Sequence, residues 1–119
     1  NGFVEISKNQ NLSLIINFKI DVTDNYAIDF RYANGNGPVD QENKAAIRTL
    51  LVDDHTSKTM VFPQRGKDDW TDWGFTNSAV KTLVKGQHTI EIVFRTTNEN
   101  MNIDINQALI DYMRVTKLY

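Results

Sequence analysis

The sequence predicts an all-β protein, a jelly-roll β-sandwich of two antiparallel sheets, and three observations carry that prediction. Tyr26, Ile28, Phe30 and Tyr32 alternate with Ala27, Asp29 and Arg31. This is the period-two pattern of a strand with one face on a core and the other in water. Similar patterns recur along nearly the whole chain, separated by turn residues at the short intervals of a sandwich with Greek-key or jelly-roll connections. No long amphipathic helix, internal repeat or low-complexity tract interrupts them.

Taken in order, residues 3–6 read as a short strand. Residues 14–22 follow, with Leu14, Ile16, Phe18, Ile20 and Val22 on one face and Ser13, Asn17, Lys19 and Asp21 on the other. Thr23-Asp24-Asn25 is turn chemistry, and the strand at 26–32 follows it at hairpin spacing. Asn34-Gly35 and Asn36-Gly37 then supply the left-handed positions expected of a tight loop. The stretch 38–44 is too rich in charge and amide to be a strand. Ala46–Val52 reads as a strand ended by Asp53-Asp54-His55, and 59–62 returns until Pro63 stops it. Residues 64–72 form a polar loop with Arg65, Gly66, Asp68, Asp69 and Trp70, after which 73–75 opens a new strand. The segment 79–84 fits a strand or a short helical turn, with Lys85-Gly86-Gln87 as the next tight turn. Residues 88–94 alternate again, 96–102 is polar, and 109–118 is the closing strand. The strand order is not legible.

The chain has 119 residues, enough for one domain whose core needs no staples. Hydrophobic residues make up 40% and charged residues 24%, which speaks against disorder. A net charge of −2 argues against a nucleic-acid partner, and no apolar run reaches the roughly 20 residues of a membrane helix. The absence of cysteine excludes disulfides, thiolate zinc sites and a cysteine nucleophile. The start on an apparent strand at Asn1-Gly2-Phe3 predicts a piece of a longer protein, so missing targeting signals carry little weight.

No catalytic constellation stands out. His55 sits in an acidic turn, His88 opens a strand, and neither has a serine at elbow spacing. Asp53-Asp54 and Asp68-Asp69 are turn carboxylates, and neighbours in an extended segment point apart. The expectation is therefore a non-catalytic domain. Trp70 and Trp73 are three residues apart, which in an extended segment turns them to opposite faces. Trp73, leading into a strand, is the expected core residue. Trp70 lies in a polar loop and has two readings: a plug under its own loop, or an exposed ring for a ligand. A sugar fits the second reading, since its C–H face stacks on indole while its hydroxyls need amide, carboxylate or guanidinium partners. Asn34 and Asn36 lie in one loop, Gln64 and Arg65 in another, and Asn98, Asn100 and Asn102 in a third. Asn is also common in turns for backbone reasons. Asp111, inside the apolar closing strand, needs a partner; calcium suits it if other oxygens converge there.

These pieces resemble the β-sandwich carbohydrate-binding modules of families 6 and 35, jelly-roll domains appended to bacterial polysaccharide-degrading enzymes. The matching order is Gly-Phe-Val-Glu-Ile, then Tyr-Ala-Ile-Asp-Phe-Arg-Tyr-Ala-Asn-Gly, Leu-Leu-Val-Asp-Asp, Trp-Thr-Asp-Trp, Leu-Val-Lys-Gly-Gln-His-Thr-Ile and Leu-Ile-Asp-Tyr-Met-Arg-Val, covering nearly the whole chain. The resemblance implies a module of a secreted, periplasmic or cell-surface enzyme, with a polysaccharide or oligosaccharide and its own catalytic domain as partners, and neither nucleic acid nor membrane. It implies sugar binding in loops through Trp70, with Tyr32 and the loop after it alongside. Asn34, Asn36 and Arg65 would then hydrogen-bond hydroxyls or a uronate. Two features depart from the family's pattern. Leu109 stands where the modules often carry a sugar-binding Asn. The chain also begins after the strand whose acids complete a structural calcium site with the closing-strand Asp, here Asp111. Those departures favour the alternative expectation, a structural accessory domain packed on a catalytic domain with no free ligand.

Overall fold

The computed structural model describes residues 2–36, 45–98 and 106–118. Nine strands lie among them: β1 (Val4–Ile6), β2 (Ser13–Ile20), β3 (Asp24–Ala33), β4 (Ala46–Val52), β5 (His55–Phe62), β6 (Gly74–Phe75), β7 (Ala79–Leu83), β8 (Gly86–Val93) and β9 (Ala108–Lys117). A 3-10 turn spans Thr96–Asn98. All pairings are antiparallel. One sheet runs β1-β9-β3, with β6 and β7 sharing the far edge of β3, and the other runs β2-β8-β4-β5. No helix among the described residues is long and apolar enough to cross a membrane.

The alternation seen in the sequence builds the core. Tyr26, Ile28, Phe30 and Tyr32 of β3 are all buried and face Leu50, Met60, Phe62, Ile90 and Ile92 of the other sheet. The ring of Phe62 meets Phe30 at 6.1 Å and Tyr32 edge-on at 5.4 Å, joining the two layers. Leu14, Ile16 and Phe18 pack against this cluster from β2. Val22 does not, because β2 ends at Ile20.

Several local expectations are corrected. β2 and β3 are not a hairpin: β2 pairs with β8 and β3 with β9, so the chain crosses between sheets at residues 21–23. Asp29, expected on the wet face of β3, is buried because Arg114 of β9 grips both its oxygens, at 2.9 and 2.7 Å, while Ser78 donates to one. Segment 79–84 resolves as a strand because β7 pairs with residues 24–28 of β3. The turn between β4 and β5 is a two-residue hairpin in which Asp53 and Asp54 both have positive φ (50° and 70°), the geometry that matches strand twist. Asn34, Gly35 and Asn36, by contrast, are absent from the positive-φ residues, so these three positions do not use the left-handed conformation expected of them. The stretch 38–44, Gly37, Asn100 and Asn102 lie outside the described residues.

Candidate functional site

At the end of β3 the chain leaves the sheet at Asn34 and meets the loop 64–73, which leaves β5. Main-chain hydrogen bonds zip the two together: Arg65 N–H donates to Asn34 O and Asp68 N–H to Gly35 O, each at 2.8 Å. An isolated bridge pairs Asn36 with Lys67. The side chain of Asn34 secures this junction. Its amide donates to Phe62 O at 2.9 Å and its Oδ1 accepts the Asn36 N–H at 3.0 Å.

Trp70 rests on this platform, half-buried. A Cβ built on Gly35 would lie 2.7 Å from Trp70 Nε1 and 2.8 Å from both Cδ1 and Cε2. Near-equal distances to three pyrrole atoms place that point over the ring face. Gly35 is therefore a glycine because an indole lies flat on its backbone, not because the turn needs a special φ. The two readings of Trp70 merge: one face is packed on its loop, while the residue keeps exposed surface.

Arg65 sits on the other side of the loop. Its Nε donates to Asp72 O at 3.2 Å and its Nη2 to Asp72 Oδ1 at 3.4 Å. Its guanidinium lies against Gly74, where an added Cβ would be 2.3 Å from Cζ and Nη1. Asp69, in the same loop, is held below the usual carboxylate range by the Thr71 hydroxyl and then the Thr71 N–H. Asn36 is partly buried, and its Nδ2 is fully buried without a hydrogen-bond partner among the described residues. A buried amide donor left open is costly unless something accepts from it.

The expected ligand residues thus divide. Trp70, Arg65 and Asn36 stand together at the loops. Tyr32 and Asn34 are corrected from ligand contacts to supports: Tyr32 is 1% exposed and donates its hydroxyl to Pro63 O at 2.7 Å, and Asn34 is 0% exposed. Burial is the largest influence on the Tyr32 phenol and raises its pKa against the nearby Arg65. Asn98 is likewise structural, its Oδ1 accepting from Arg95 N–H and Thr49 Oγ1. Leu109 is half-buried opposite Ala33 and Glu5. Sequence reasoning assigns Gly35 only a turn role and Asp72 and Gly74 none; no local signal marks these contacts, because Gly35 and Trp70 are far apart in the chain.

Trp73 is not in the core. β6 begins at Gly74 and joins the outer edge of β3, which leaves Trp73 half-buried between Phe3 (5.9 Å) and the Arg31 guanidinium (5.1 Å). Arg31 in turn donates to Asp111 Oδ2 at 2.6 Å, where the β3–β9 register slips by one residue. The closing-strand carboxylate has its cation. The described residues therefore do not fit the structural calcium implied by the resemblance: Asp111 is paired to Arg31, and no three acidic or histidine side chains among them converge.

Comparison with known proteins adds to this geometry. No family model matches the chain. It is 30% identical over 112 residues to a cycloisomaltooligosaccharide glucanotransferase of Niallia circulans, covering 92% of this chain but only 10% of that enzyme. The chain therefore spans about a tenth of that relative. Among solved structures it superposes on a family 35 carbohydrate-binding module from an environmental isolate with a TM-score of 0.69 and 26% identity, covering 97% of this chain and 72% of that one. A family 35 module from Cellvibrio japonicus gives the same TM-score at 18% identity, over 99% and 75% of the two chains. The two-sheet arrangement of the strands is that of these modules.

Proposed function

We propose that this carbohydrate-binding-module sandwich holds a sugar ring on the open surface of Trp70, with Arg65 and Asn36 bonding hydroxyls at the rim. The chain is non-catalytic, a module of the type that accompanies glycan-acting enzymes. Family 35, rather than family 6, is its proposed membership, and secretion with a parent enzyme is its proposed setting. The observation that carries the reading is the seating of Trp70 on Gly35. A ring fixed on main chain presents its remaining surface without loss of side-chain freedom on binding, which is where much binding energy is otherwise spent. Asn36, partly exposed and bridged to Lys67 in the same pair of loops, supplies an amide for the rim. Tethering then raises the local concentration of polymer at the attached enzyme, even when a single site is weak.

The test is retention of the domain and of Trp70→Ala on a panel of plant and host polysaccharides, with and without calcium. Selective retention abolished by the substitution, with the domain still folded and about 1–2 kcal/mol less stable from the lost packing, supports the proposal. A folded wild-type domain retained by none of the polymers overturns it.

A second reading, a structural accessory domain packed on a catalytic domain, is favoured by the outer face of the β1-β9-β3 sheet. Phe3, Phe75 and Tyr112 stand there 58%, 38% and 47% exposed. Cross-linking of the intact parent protein distinguishes the two: protection of Phe75 and Tyr112 by a neighbouring domain, without glycan retention, would select the second.

A further inference from the structure

Resting on the glycan reading above, we infer that the loop site takes a neutral sugar and excludes uronates, and that Asp72 sets this choice by occupying Arg65. Arg65 is the guanidinium placed beside Trp70's loop, and an unoccupied guanidinium there would bind a sugar carboxylate through two parallel hydrogen bonds. It is not unoccupied. Asp72 takes its Nε through the main-chain carbonyl and its Nη2 through the carboxylate. The guanidinium also lies against Gly74, and turning it toward a ligand would give up both contacts to Asp72.

The surrounding charge acts in the same direction. Loop 64–73 carries Asp68, Asp69 and Asp72 against Arg65 and Lys67, leaving it with a net negative charge. Thr71 keeps Asp69 ionised by donating both its hydroxyl (2.7 Å) and its N–H (2.9 Å) to one carboxylate oxygen. Tyr32, the other polar group next to Arg65, commits its hydroxyl hydrogen bond to Pro63 O. A uronate entering here meets a loop of net negative charge and a cation already paired with Asp72. A neutral sugar needs only single hydrogen bonds, and the remaining N–H groups of Arg65 can give those while it stays on Asp72. Selectivity of this kind comes from the repulsive element as much as from the attractive one.

The experiment measures binding of the wild-type domain and Asp72→Asn to neutral polymers (dextran, galactomannan, galactan) and to polygalacturonate and alginate, by affinity electrophoresis at low and high salt. The expected result is wild-type retardation by a neutral polymer and not by the polyuronates. Asp72→Asn should raise the ratio of uronate to neutral affinity by about tenfold or more, in a salt-dependent manner. Arg65→Met in the Asp72→Asn background should remove that gain, a response that general loosening of the loop would not give. Circular dichroism melts check that each variant is folded. Wild-type binding to polyuronate as strong as to any neutral polymer overturns the inference, as does an unchanged ratio in folded Asp72→Asn. Failure of the wild type to bind any polymer overturns the glycan reading itself and the inference with it, so the two failures are told apart.

Discussion

Gly35→Ala isolates the contact on which the site is built. Gly35 is buried and its φ lies outside the left-handed region, so alanine is acceptable to the backbone and the added methyl is the whole perturbation. That methyl would sit 2.7–2.8 Å from three atoms of the Trp70 pyrrole ring. Carbon contacts settle at about 3.5–4.0 Å, so the indole or the loop must retreat by roughly 0.7–1.3 Å. Overfilling a packed position costs about 1–3 kcal/mol, and the loss of glycine's unfolded-state entropy returns about 0.4–1 kcal/mol. The net is a destabilisation centred on about 1.3 kcal/mol (range about 0–2.6), or roughly 5 °C in melting temperature for a domain of this length. Displacement of the ring should also weaken glycan retention. Calorimetry and affinity electrophoresis of the same preparations read both effects, with Gly2→Ala as the control because nothing lies within 4 Å of its added Cβ. A melting temperature at or above wild type, with retention intact, refutes the assignment of this position to the indole.

Two further predictions concern buried polar groups away from the loops. His88 faces an acceptor at each ring nitrogen, Val84 O at 2.6 Å and Asp53 Oδ2 at 2.7 Å, so both contacts are hydrogen bonds only when the ring is protonated. The Val84 carbonyl and then Asp53 raise its pKa against burial. A folded pKa above the unfolded value near 6.5 means the stabilisation is complete below about pH 6.5 and fades as pH rises through the folded pKa. For Asp53, burial pushes upward but the Thr89 N–H and His88 prevail and lower the pKa, so its share fades only as acid reaches that depressed value. The stability gap between wild type and His88→Gln should therefore shrink from pH 6 to pH 9; a constant gap in denaturant titrations would sink the idea. Arg48 is fully buried in β4, its pKa lowered by burial to about 10, and it donates to Ser7 O, Ile47 O and Asn106 Oδ1. Arg48→Met keeps the stem but strands those acceptors, and a loss of about 2–4 kcal/mol is expected; equal chemical-denaturation midpoints would show the contacts to be dispensable.

What the sequence disclosed follows from the range of the signals. Period-two patterning is local and is dictated by burial of one sheet face, so the face of β3 and the span Ala46–Val52 are legible from residues alone. Partner choice is not local. Nothing between Ile20 and Asp24 distinguishes a hairpin from a crossing to the other sheet, because either connection accepts the same turn residues. The burial of Asp29 depends on Arg114, 85 positions away, and the exposure of Trp73 on where a two-residue strand docks. Arg48 shares the parity of the buried Ala46, Leu50 and Val52, and only the distant Ser7 and Asn106 make its burial tolerable.

The site residues were separable by a physical criterion that sequence does not carry, namely which polar atoms are already spent. Tyr32, Asn34, Asn36 and Arg65 are all polar hydrogen-bonding residues, and all four lie within one pair of loops or the strand entering them. Tyr32 and Asn34 use their polar atoms to hold Pro63, Phe62 and the Asn36 N–H, so they fix the shape of the junction and have nothing to offer outward. Asn36 is partly exposed, and Arg65 is exposed and retains part of its N–H set. The plug and the platform readings of Trp70 stop competing for the same reason. Packing one face on Gly35 removes rotamer freedom that the proposed sugar would otherwise have to freeze, so under that proposal the contact that stabilises the loop also prepares the ring.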